Sequence, residues 1–197
     1  EVTLTVLRGK TTHDYTIRRA KVTDASVGSE VRDGMGIIKI RRFDNETGDA
    51  ARRAAEQLKD RGVRAVILDL RDNPGGYLDQ SQKVAGLWLD HQLVVTERKK
   101  GVQTDALDSI GLPVLAGMKT VVLVNGGSAS ASEIVAGALK DHGVATLVGE
   151  KTYGKGTVQQ VLNLSGGAQL KVTIAHWYTP GGVNISEKGI IPDTAVE

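Results

Sequence analysis

The sequence predicts an α/β fold, and three observations predict it. Short β-branched runs alternate with segments whose apolar residues recur at helical spacing, buried runs lead into glycine-rich loops, and the apolar and charged content is that of one globular core. The chain has 197 residues, 40% of them hydrophobic, with 25 Lys and Arg against 23 Asp and Glu for a formal net charge of +2. That balance excludes a disordered tail and a protein that neutralises nucleic acid. No apolar stretch approaches the ~18 residues a membrane span requires. Cysteine is absent, which excludes thiol chemistry and Cys-ligated zinc and leaves the compartment open. Gly fills 24 positions, roughly 12% against the usual ~7%, so backbone freedom is used heavily.

Residues 2–7 alternate Thr with apolar side chains and, after Arg8-Gly9-Lys10, are followed by a strand-like run at 15–22, a hairpin too short to fold alone. The chain enters this run without a leader pattern, which reads as a processed or excised piece. Residues 35–43 (MGIIKIRRF) form the next strand, and 48–62 place Ala51, Ala54, Ala55 and Leu58 on one helical face. A buried strand at 64–70 (RAVILDL) runs into Arg71-Asp72-Asn73-Pro74-Gly75-Gly76, and a helix follows at 78–89 with Val84, Leu87 and Trp88 inward. After a strand at 93–98 and a polar stretch at 99–109, the strand at 120–124 (TVVLV) enters Asn125-Gly126-Gly127 and a helix at 130–140. A strand at 144–148 precedes another glycine loop. Strands at 157–164 and 169–175 are joined through Gly166-Gly167, and a turn at 178–182 leads to the C-terminal KGIIPD.

Three loops are candidate sites, because reactive groups in α/β sheets sit where strands give way to loops. In GGSASASEI, 126–134, a small hydroxyl at Ser130 lies at the start of a helix, a geometry that suits a serine nucleophile. Ser130 and Glu133 equally fit a Ser-x-x-Glu capping box, and the motif lacks the Gly-x-Ser-x-Gly of a hydrolase elbow. Residues 149–157 (GEKTYGKGT) approach a phosphate loop, but Gly156 stands where Ser or Thr would bind magnesium and a strand pattern follows. Lys155 is alternatively a general base. Burial lowers a lysine's pKa, and moving it from about 10.4 to near 7 costs about 4–5 kcal/mol. An ordinary exposed loop lysine is the plain alternative. In the Arg71–Gly76 loop, two glycines can turn N–H groups toward a ligand as an oxyanion hole requires, or simply make a turn. His142, beside Asp141 at a helix end, reads as a C-terminal cap, and His13, His91 and His176 show no triad pattern. There is no metal-binding motif.

Together, RDNPGG, VLVNGGSASASEIVAGALKD, GEKTYGKGTVQQV and YTPGG…KGIIPD, in that order from about Met35 to the end, resemble the motif set of the C-terminal processing (tail-specific) peptidases. The resemblance implies Ser130 as nucleophile, Lys155 as general base and Gln159 as the group orienting it. It implies the Ala131 N–H with an amide of Gly75 or Gly76 as oxyanion hole, and Glu133, Asp141 and Thr152 as supporting residues. It further implies a ClpP/crotonase-like ββα core over 20–197, preceded at 1–19 by a β-hairpin remnant and exit strand of a PDZ domain. No cofactor or metal is implied. The expected activity is a bacterial, periplasmic serine endopeptidase acting on protein or peptide substrates with exposed C-termini, assembling as a homo-oligomer in full-length form, with an adaptor protein as a further partner and no nucleic acid. The rivals are a catalytically silent or gated scaffold of the same fold, and an acyl-CoA-handling crotonase-like enzyme, which would not need Lys155.

Overall fold

A computed structural model describes residues 1–18 and 24–196 and contains three sheets. The hairpin of β1 (Val2–Arg8) and β2 (Thr11–Ile17) forms a two-stranded sheet of its own. The central sheet has six strands: β3 (Val27–Arg32), β4 (Met35–Ile40), β5 (Ala65–Asp69), β8 (Thr120–Val124), β9 (Thr146–Gly149) and β12 (Thr194–Ala195), side by side in that order. A four-stranded sheet is ordered β10 (Thr157–Asn163), β11 (Gln169–Tyr178), β6 (Leu93–Lys99), β7 (Val102–Asp108).

In the central sheet β4, β5, β8, β9 and β12 run parallel, and only β3 is antiparallel. Period-two alternation buries Ile38, Ile40, Val66, Leu68, Val122 and Val124 on one face. That face packs on Ala51, Ala55 and Leu58 of α1 (Thr47–Asp60), Val84 of α2 (Leu78–Ala85), and Ile134, Val135 and Leu139 of α3 (Ala131–Asp141). Apolar burial at ~25 cal/mol per Å² makes this one continuous core the main stabilising term. Since β5, β8 and β9 are neighbours pointing the same way, the loops at 70–76, 125–130 and 150–156 emerge together from their carboxyl edge.

Several expectations shift. The helix at 78–89 stops at Ala85, and tighter i to i−3 bonds, Leu87 N–H to Val84 O and Trp88 N–H to Ala85 O, keep Leu87 and Trp88 buried in the following turn. The polar stretch at 99–109 is strand β7, because Lys100-Gly101, both at positive φ, turn the chain back onto β6. Strand β3, absent from the sequence reading, is paired with β4 by the same device at Asp33-Gly34. β11 extends to Tyr178, and a single-turn helix α4 (Ile185–Lys188) precedes the C-terminal strand. Of the run expected at 15–22, β2 accounts for residues up to Ile17. Residues 19–23, including the boundary set between 19 and 20, lie outside the described residues.

At the end of β5, Asp69 is buried against the Arg71 guanidinium at 2.9 and 2.8 Å, with Lys39 Nζ at 3.7 Å. Burial alone would raise its pKa, but hydrogen bonds from the Arg71 side chain and backbone and the charges of Arg71 and Lys39 outweigh that and hold the carboxyl below its ordinary value. A carboxyl with a depressed folded pKa contributes stability above its unfolded pKa of about 3.9 and loses it as pH falls through the folded value. Asp69→Asn is therefore expected to cost about 1 kcal/mol at pH 7, discounted for the half-exposed Arg71 partner, with the gap to wild type closing as pH drops below about 4. Urea denaturation at neutral and acidic pH measures this, and a gap independent of pH contradicts the assignment.

Candidate active site

Side chains near the carboxyl edge lace the first two loops together. Ser128 Oγ donates to Leu70 O at 2.8 Å, and the Asn73 carbonyl accepts Ala129 N–H at 2.9 Å and Ser132 Oγ at 3.0 Å. Asn125 Oδ1 accepts Asp72 N–H at 2.9 Å while its Nδ2 donates to Asp72 Oδ1 at 2.9 Å. Asn73 itself is fully buried, its Nδ2 donating to Ile40 O at 2.8 Å and its Oδ1 accepting Gly75 N–H at 2.9 Å. The third loop joins through Tyr153 N–H to Ser128 O at 3.0 Å.

Ser130 sits at the turn from loop to α3 with φ +56° and ψ −117°, a left-handed conformation that a non-glycine residue adopts at a cost of about 1–3 kcal/mol. Of the expected capping box, Glu133 supplies its half, Oε2 accepting Ser130 N–H at 2.8 Å. The Glu133 amide bonds to the Ser130 carbonyl at 2.9 Å, and the Ser130 side chain is half-buried.

Glu133 does more than cap. Its carboxylate is fully buried and collects four donors: Ser130 N–H, Thr152 Oγ1 at 2.5 Å, Gly154 N–H at 2.7 Å and Lys155 N–H at 2.9 Å. Oε2 binds the backbone of Ser130 and of Lys155 together, so one atom fixes the relative position of the two loops. Thr152 Oγ1 in turn accepts Ile190 N–H at 2.7 Å, fastening the third loop to the C-terminal segment.

Gly75 presses on the same turn. At φ +93°, a Cβ there would lie 2.6 Å from Ala129 O, 2.7 Å from Ser130 Cβ and 2.9 Å from Ala131 N, so only glycine fits beside the serine. Its own N–H is taken by Asn73. Gly76 instead bridges Phe43 through its neighbours, Phe43 N–H to Gly75 O and Tyr77 N–H to Phe43 O, each at 2.9 Å. In a parallel bridge of this kind the N–H of Gly76 points away from Phe43, and it has no protein acceptor among the described residues. The Ala131 N–H, at the first position of α3, has none either. Of the two glycine amides anticipated as oxyanion donors, Gly76 is the one left uncommitted.

Lys155 and Gln159 are exposed. The loop turns the Lys155 backbone inward to Glu133 and its side chain toward solvent, so the desolvated lysine expected from the sequence is not built into this arrangement. The register between β10 and β11 slips between Val158 and Gln159, leaving Ile174 of β11 as the extra residue of a bulge beside Gln159. Asp141 lies at the far end of α3 from Ser130, where its Oδ2 accepts Gly181 N–H at 2.7 Å, so its support goes to the 178–182 turn. His142 follows α3, its Nε2 2.6 Å from Leu93 O, and His176 Nδ1 is 3.0 Å from Ser186 Oγ, so both rings hold partners other than Ser130. Asn73 and Asn125 escaped the sequence reading. Their signal was an Asn beside Pro-Gly-Gly and one before Gly-Gly, where side-chain turns are common. Among the described residues no group of three or more His, Asp or Glu is placed to hold a metal ion.

The family model described as peptidase family S41 matches residues 34–196. A probable CtpA-like serine protease of Staphylococcus aureus is 40% identical over 199 residues, covering 100% of this chain and 40% of its own length. A protein of the same name from Staphylococcus haemolyticus is 39% identical, covering 99% of this chain and again 40% of its own. The chain therefore spans less than half the length of these relatives. Among solved structures, a photosystem II D1 C-terminal processing protease superposes with a TM-score of 0.84 at 34% identity, over 94% of this chain and 52% of the other. A lipoprotein from Streptococcus agalactiae shares the fold at a TM-score of 0.71 and 18% identity, over 88% of this chain and 66% of the other.

Glu133 supplies a direct test of the loop linkage. Glu133→Gln keeps one acceptor oxygen but turns an NH₂ group toward bound donors, and is expected to destabilise the chain by about 2–4 kcal/mol. Denaturant unfolding checks this, and a loss below about 0.5 kcal/mol, the range of an ordinary surface substitution, refutes the linkage.

Proposed function

The chain belongs to peptidase family S41, and from that premise we propose that it is the catalytic core of a serine endopeptidase in which Ser130 is the nucleophile and Lys155 its general base. The observation that carries the reading is the shared Glu133 oxygen. By holding the Ser130 and Lys155 backbones side by side, it brings the lysine's root within side-chain reach of the Ser130 hydroxyl.

In the proposed reaction the neutral Lys155 amine takes the Ser130 proton as Oγ attacks a peptide carbonyl. The tetrahedral oxyanion is received by the Ala131 and Gly76 N–H groups, a single such donor being worth about 2.7–4 kcal/mol. Lys155 then gives its proton to the departing amine, and water releases the acyl group with Lys155 again as base. In this reading Gln159, at the start of β10, orients the lysine, and Thr152 supports the loop through Glu133. Substrates processed at exposed C-terminal tails are proposed by analogy with the name of the photosystem II D1 C-terminal processing protease, and the motif resemblance alone extends the proposal to a periplasmic setting, an adaptor and a homo-oligomer of the full-length protein.

A gated form of the same site is favoured by one observation, the solvent exposure of Lys155. In that reading the lysine turns inward and sheds water only when substrate or another part of the protein covers it. A catalytically silent scaffold would need neither side chain.

Cleavage of an unfolded protein by full-length wild type, Ser130→Ala and Lys155→Ala decides the matter. Each variant is expected to lose at least ~10³-fold in kcat, and the double variant little more, as for residues acting as a unit. Undiminished cleavage by either single variant rules out the dyad.

A further inference from the structure

We propose that the free edge of β10 is the substrate's docking strip, on which an extended polypeptide adds as a fifth strand leading into the Ser130 and Lys155 loops. The proposal rests on the endopeptidase reading and names how that site selects its substrate.

β10 is the outermost strand of its sheet, so one row of its N–H and C=O groups has no partner among the described residues. Such an edge is a template for another chain, and proteins normally blunt it with charge, proline or a short strand. The other edges of the two larger sheets are blunted in this way. β7 carries Asp105 and Asp108, β3 carries Glu30 and Arg32, and β12 is two residues long. β10 (TVQQVLN) has seven residues with no charge and no proline, and its last five are exposed. An unguarded edge among guarded ones is a place where pairing is wanted.

The side chains agree. Leu162 pairs with Leu170 and Gln160 with Val172, which puts Leu162, Leu170 and Val172 on one face of the hairpin, all exposed. This small apolar platform beside the edge would take every second side chain of an added strand. Position agrees too, because β10 begins two residues after Lys155 and carries Gln159. Main-chain pairing is indifferent to sequence but demands an unpaired, extended backbone. The edge would therefore accept unfolded tails and refuse segments already folded into a sheet. A second copy of the chain is the competing occupant.

The test uses Ser130→Ala protein, so that binding is read without turnover and failure of the dyad cannot be mistaken for failure of docking. The probe is a fluorescein-labelled peptide of alternating Val and Thr, amidated at its C-terminus to remove a carboxylate handle, with two versions N-methylated on alternate residues in opposite phase. Strand addition predicts that one phase loses about tenfold or more in affinity while the other binds like the parent, because only one set of amides faces the protein. Placing charge on the edge with Gln160→Lys and Leu162→Lys together is expected to weaken the parent peptide by a similar factor. Equal binding in both phases, or parent binding untouched by the charged edge, overturns the proposal. So does a dimer, seen by size-exclusion chromatography, that the peptide does not dissociate and the charged edge does. If the doubly substituted chain fails to fold, the two methylated phases still decide.

Discussion

The site depends on one buried carboxylate. An ionised carboxylate placed out of water is costly unless its lone pairs are met, and Glu133 meets them with four donors drawn from two loops. This gives the arrangement an all-or-none character. Moving either loop leaves donors and acceptor unpaired together, so the Ser130 turn and the third loop are held in one geometry rather than a range of them. The helix cap and the site are the same hydrogen bonds: the motif that looks like routine capping also fixes where Ser130 and Lys155 stand.

Around that carboxylate the parallel sheet does the coarse positioning and glycine the fine. Three adjacent parallel strands ending at one edge bring together three loops that are far apart in sequence. The close approach of the first loop to the serine turn then requires that Gly75 have no side chain, and its pairing with Asn73 leaves Gly76 as the uncommitted amide. The strain at Ser130, about 1–3 kcal/mol, is offset locally, since its N–H is among the four bonds to Glu133. A left-handed serine on a buried helix start is thus stable because its neighbours allow no other path.

Much of this was legible in sequence where local chemistry and periodicity agree. The runs at 35–43, 64–70 and 120–124 alternate or are wholly apolar because they form a half-covered parallel sheet, and the loops after the second and third follow from it. What escaped were elements whose residues meet water. β7 reads as a polar stretch because six of its seven residues are exposed, and β3 has no clean alternation because it is an edge. In both cases the hairpin turn was the available signal, Asp33-Gly34 and Lys100-Gly101, and it outweighed side-chain pattern. The convergence of four donors on Glu133 was not legible, since backbone N–H groups leave no trace in the identity of Gly154 or Lys155. The outward turn of Lys155 was hidden for the same reason. Residue type says what a lysine can do, and the backbone says which way it faces.

An exposed lysine and an unguarded edge strand are adjacent parts of one segment, and their combination has a physical logic. A general base in water is shared with every passing solvent molecule, and its usefulness comes from a covered, preorganised site. Covering it permanently would require side chains packed over 155–159, and those same side chains would close the edge of β10 to a visiting chain. The fold instead leaves the outer side of the segment open and holds it from within, through Glu133, through Trp177 N–H bonded to Gly156 O at 2.7 Å and through the pairing of β10 with β11. Under the proposed docking, the missing cover is supplied by the chain that pairs with β10. Such a chain would both present its backbone carbonyls and exclude water from the lysine, making selection of extended substrate and completion of the site a single event rather than two.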